Sequence, residues 1–182
     1  MKKKAVRGFG VIFKNILNDQ FVATKAEILK NRISISEKNC LSSISNSGID
    51  SLPFNLDIIE DENLSLRFLA LSLYHKNLCE YTHEKKNKCL TIHELTIVNI
   101  SVLRTLNYLN TFQYIYNDIK ETNLMLRHEY FSSSIIVLED LKSTTIFSRT
   151  SSNPENVDIT PCFVGLWIHK NILYTYTNDL VS

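Results

Sequence analysis

Apolar and polar positions change rhythm several times along the chain. Residues 5–13 alternate, with Ala5, Phe9, Val11 and Phe13 on one side, which predicts a β-strand. Gly8 and Gly10 weigh against a helix there. Thr24 and Glu27 match a capping box, predicting a short helix through Ile28 and Leu29 to about Asn31. Ser36 is placed to cap a second short helix, with Leu41 and Ile44 inward and an end near Gly48.

The run over 64–73 is apolar nearly all round and predicts a central helix that continues to about Tyr81. Asp57, Glu60, Asp61 and Glu62 precede it, where negative charge suits a helix N-terminus. Thr91 and Glu94 form a second capping box, with Leu90 and Leu95 at the staple positions. The helix they open is amphipathic at Leu95, Val98, Val102, Leu106 and Leu109, and runs to Ile119 or bends near Asn110. A third helix is expected over 124–141, on Leu124, His128, Phe131, Ile135 and Leu138. Residues 143–161 read as a polar connection. The β-branched and aromatic stretches 163–168 and 172–177 read as a hairpin that buries Trp167. The expected fold is α+β in a single domain, 1–182. It has a mostly helical core over 64–142 and a small antiparallel sheet from the N-terminal strand and a C-terminal hairpin at about 162–177.

Composition sharpens this in one respect. Four glycines and three prolines in 182 residues argue for long elements and against a turn-rich sandwich. A formal net charge of +1 gives no bulk attraction to nucleic acid or anionic membrane. Lys2, Lys3 and Lys4 read as a basic tail, because Arg7 and Lys14 interrupt the apolar stretch that a signal peptide would need. The most apolar long stretch, 92–116, holds His93, Glu94 and Arg104, so no membrane span is expected. The expected location is the cytoplasm, or a host's cytoplasm for a viral protein or secreted effector.

The densest candidate chemistry is His75, Cys79, His83, Cys89 and His93. Thiolate and imidazole are the ligands of structural zinc. The pairs Cys79/His83 and Cys89/His93 are each four apart, a spacing that shares a helix face. The polar connection 84–88 is short enough to join two helices. Cys79, His83, Cys89 and His93 therefore form a candidate Cys2His2 clasp, although the spacing matches no common zinc motif. The bland alternative is that Cys79 and His75 merely continue an apolar stripe.

Other constellations are thinner. The carboxylates at 57–62 are accounted for by capping and solvation. His128 and Ser132 lack the glycines of a nucleophile elbow. No phosphate-binding glycine loop is present in the sequence. Segments 24–31 and 36–46 suggest a helix-turn-helix, with Lys38 and Asn39 as readers and the basic N-terminus as an arm. The leading functional expectation is a non-enzymatic interaction or regulatory protein whose partner is another protein. A DNA-binding regulator and a zinc-dependent enzyme using the Cys/His cluster are the alternatives.

Overall fold

The computed structural model describes residues 2–7, 10–29, 32–44, 49–53, 55–129, 131 and 135–146. The chain divides into two compact units, Met1–Gly48 with Pro53–Leu73, and Ile49–Leu52 with Tyr74–Ser182.

The first unit is built on a five-stranded antiparallel sheet. Its strands are β1 (Lys2–Arg7), β2 (Gly10–Leu17), β3 (Gln20–Ile28), β4 (Asn55–Asp61) and β5 (Leu66–Ser72), in the order β1-β2-β3-β5-β4. Asn18 and Asp19 make the β2–β3 turn with φ of 48° and 62°. Two left-handed residues give a hairpin turn whose twist matches the strands, and Asn and Asp tolerate that region without glycine. Burial in β5 alternates, with Arg67, Leu69 and Leu71 inside. The register sets Ala23, Lys25 and Glu27 of β3 beside Leu71, Leu69 and Arg67, on the same face.

Helix α1 (Arg32–Ile44) buries Glu37, Cys40, Leu41 and Ile44. It is tied to that face by an ion pair from Lys25 to Glu37. Lys25 Nζ also lies 2.8 Å from Glu27 Oε1, and the Arg67 guanidinium donates to Glu60 at 2.9 Å. Lys25, Glu27, Glu37 and Arg67 therefore place charge within an apolar interior, while Glu60 remains exposed.

The second unit starts with β6 (Lys76–Asn77), α2 (Leu78–Glu84), α3 (Ile92–Thr111) and β7 (Tyr114–Ile115). It continues through β8 (Leu124–Leu126), β9 (Ile136–Leu138) and β10 (Thr145–Ile146). Strands β6-β8-β9 form one antiparallel sheet, and β10 and β7 form another. Helix α3 packs Val98, Leu106 and Leu109 inward, towards β9 and β7. Residues 49–52 are anchored here: Leu138 N donates to Ser51 O at 3.0 Å, and Thr105 Oγ1 donates to Ser51 Oγ at 2.7 Å.

This corrects the expected mostly helical core. The apolar run at 64–73 is the inner strand β5, and the expected helix over 124–141 is replaced by β8 and β9. The half-buried positions of β5 are apolar as well (Leu66, Phe68 and Ala70), so the strand reads as a nearly continuous apolar run, which periodicity does not separate from a buried helix. The capping-box match at Thr24 and Glu27 lies inside β3. The helix-turn-helix thereby loses its first helix, because 24–28 is strand. The short helix carrying Leu41 and Ile44 is present as α1, both residues are buried, and Asn39 is exposed. The hairpin at 162–177, Trp167 and Ser132 lie outside the described residues.

Candidate functional site

The α2–α3 connection concentrates the polar chemistry of the second unit. Asn77 caps α2, accepting from Glu80 N at 2.7 Å while Asn77 N donates to Glu80 Oε2 at 3.1 Å. Thr91 caps α3 in the same reciprocal way with Glu94, at 3.2 Å and 2.7 Å. The capping box expected at Thr91 and Glu94 is thus present, and it opens a helix of 20 residues.

Glu94 does more than cap its own helix. The Tyr81 hydroxyl, on α2, donates to Glu94 Oε1 at 2.5 Å. The Lys85 ammonium, in the connection, donates to Oε2. Lys85 also lies 5.3 Å over the Tyr81 ring, and the Phe131 ring lies 5.0 Å from it. One carboxylate therefore staples α2, the connection and the first turn of α3.

Its electrostatics follow from this geometry. Burial alone would raise the Glu94 pKa, but hydrogen bonds from Lys85, Tyr81 and Thr91 outweigh it and hold the group at about 2. Tyr81 is pushed up to about 12, by burial first and then by the hydrogen bond to Glu94 and its charge. Across neutral pH the carboxylate stays ionised and the phenol stays protonated. A general acid or base works best with a pKa near the working pH. This pair is poised for holding two helices together, not for moving protons.

The candidate zinc ligands surround the staple without converging. Cys79 and His83 meet on α2, with Sγ 3.6 Å from Nδ1, and His83 Nδ1 donates to the Cys79 carbonyl at 2.8 Å. Cys89 is exposed in the connection, and His93 is exposed in the first turn of α3. His75 precedes β6 and does not share a helix with Cys79. Among the described residues, no three His, Cys, Asp or Glu side chains come together as a metal-holding group. Glu94 supplies a clasp of its own at the place where the spacing suggested one.

A second feature escapes the inward periodicity of α3. Ile92, Leu95, Ile100 and Leu103 are 86, 48, 45 and 51% exposed. At 3.6 residues per turn they fall within an arc of about 140°. His93 and Arg104 border this strip, and Lys86 and Lys88 precede it, all four exposed. From residue 95 to the end of α3 at Thr111 the sequence holds no carboxylate. Periodicity assigned Leu95 to the core. The available signal was an excess of apolar residues over what one buried stripe needs.

Compared with known proteins, the chain matches no family model and no curated protein. Among the described residues, no helix is long and apolar enough to cross a membrane.

Proposed function

We propose that this protein acts by binding, as a non-enzymatic interaction module whose contact surface is the outward face of α3. The observation that carries this is the exposed strip Ile92, Leu95, Ile100 and Leu103 on a single helix. Large apolar side chains left together in water mark contact surfaces more often than isolated ones do. The basic border favours one kind of occupant. It is a protein segment with apolar anchors flanked by carboxylates, of the kind an amphipathic acidic helix presents. A second copy of α3 is a poor occupant, because basic borders would face each other. The zinc-enzyme reading has the Cys79–His83 contact alone in its favour, and the DNA reading has lost its helix pair.

The probe is a synthetic amphipathic helix of leucine and glutamate, titrated against the isotope-labelled protein and followed by NMR. Amide shifts are expected to cluster at 92–104, and the leucine–lysine analogue is expected to bind more weakly. Leu103→Gln keeps a good helix former and removes the apolar anchor. It is expected to weaken binding by about 2 kcal/mol, roughly thirtyfold, and to change folding stability by less than about 0.5 kcal/mol. No binding, or shifts that avoid α3, would refute the proposal.

A further inference from the structure

Among the described residues the five-stranded sheet ends in two strands of opposite charge. Each neighbouring pair in the order β1-β2-β3-β5-β4 is antiparallel, which makes β1 and β4 the edges among the described strands and makes them run the same way. Strand β1 carries Lys2, Lys3, Lys4 and Arg7, and β4 with its turn carries Asp57, Glu60, Asp61 and Glu62. An edge strand offers unpaired backbone donors and acceptors to another chain, and lysines on an edge usually discourage that. Here the opposite edge supplies the matching charge.

The two patterns also match in order when the strands are laid antiparallel. Setting Arg7 opposite Asp57 puts Val6 opposite Ile58 and Ala5 opposite Ile59. The pairing of β1 with β2 shifts register between Lys3 and Ala5, which makes Lys4 an extra residue. With Lys4 taken up in that bulge, Lys3 falls opposite Glu60 and Lys2 opposite Asp61. Basic thus meets acidic, and apolar meets apolar, along the strand. Directly opposed cross-strand pairs of this kind are favourable, and like charges opposed are not. Glu60 is already engaged with Arg67 at 2.9 Å. Asp57 and Asp61 accept from the backbone of Ile58 and Leu64. Among the described residues no ion pair engages Asp57, Asp61 or Glu62.

We infer that β1 of one copy pairs antiparallel with β4 of another copy of this chain, extending the sheet from molecule to molecule. The pairing does not arise within one copy, because β1 and β4 run parallel there and a closed barrel would oppose the charges out of register. It does not arise between like edges, because β1 on β1 sets lysine against lysine and β4 on β4 sets carboxylate against carboxylate. The contact is therefore head to tail. It leaves an edge free at each end, so growth does not stop at two.

The test is sedimentation velocity on the full chain. At an ionic strength of about 10 mM, where the Debye length is about 30 Å, the mean mass should climb past a dimer as concentration rises. At about 1 M, where screening acts within about 3 Å, it should return to the monomer. Two charge-swapped variants complete the design. One carries Lys2→Glu and Arg7→Glu, and the other carries Asp57→Lys and Asp61→Lys, the residues those two face in this register. Each alone should remain monomeric, and an equimolar mixture should recover the wild-type association. A wild-type chain that stays monomeric at low salt overturns the inference whether or not the variants fold. So does a salt-insensitive dimer, or association by either variant alone.

Discussion

Replacing Lys25 with methionine is expected to destabilise the first unit by about 3–5 kcal/mol, the cost of stripping one partner from a buried ion pair. Lys25 bridges two carboxylates, Glu27 and Glu37, that are 3% and 2% exposed. Methionine fills much the same space, so the loss is electrostatic and not a cavity. Among the described residues Glu27 Oε2 has no hydrogen-bond partner, which leaves little else there to absorb its charge once the ammonium is gone. The denaturation midpoint should fall accordingly. Adding Glu27→Leu and Glu37→Leu should restore much of the loss, because an apolar replacement of a whole buried network is often neutral. A Lys25→Met chain as stable as wild type would show that the network contributes nothing.

The second large effect is expected at Glu94. Alanine there removes the return half of the α3 capping box, the acceptor for the Tyr81 hydroxyl and the counter-charge of Lys85. Losing a cap and its charged hydrogen bonds together should cost about 2–4 kcal/mol. Glutamine keeps an acceptor of the same length and should cost less. The pH dependence separates the two halves of the staple. The folded pKa of Glu94 lies below its ordinary value of 4.5, so its stabilisation is complete above that value and is lost as pH falls through about 2. The folded pKa of Tyr81 lies above its ordinary 10.0, so that contribution is complete below 10.0 and is lost as pH rises through about 12. Thermal melts should show both arms in the wild type, a weakened acid arm in Glu94→Ala, and a missing alkaline arm in Tyr81→Phe.

The same residues show why part of the fold was legible in the sequence and part was not. Local capping chemistry was readable at Thr91 and Glu94, because that signal sits within four residues and needs no tertiary partner. The inward placing of Leu41 and Ile44 was readable for the same reason. The sheet was not. In β3 and β5 the buried face carries Lys25, Glu27 and Arg67, so polar residues stand where period-two alternation expects apolar ones. Their burial is tolerable because they face one another and Glu37, a condition that exists only after the sheet has formed. Thr24 and Glu27 then mimic a helix start inside a strand.

The candidate site divides in a similar way. Clustering of Cys and His between 75 and 93 pointed to the α2–α3 connection as the place of interest. Residue type alone favoured zinc, whereas Tyr81 and Lys85 reach Glu94 across 13 and 9 residues, a coincidence no motif encodes. The outward face of α3 was masked by a better-known pattern. Leu95 fits the buried stripe by spacing, yet lies near the solvent side with Ile92 and Leu103.

The central claim is that the outward face of α3 is where this protein meets its partner. The most direct measurement is a photocrosslink from a leucine–glutamate helix carrying a photoreactive side chain among its leucines, with the attachment point read by mass spectrometry. Adducts concentrated at 92–104, and lost in Leu103→Gln, are the expected result. Adducts spread over other surfaces of the chain, or unchanged in Leu103→Gln, would contradict it.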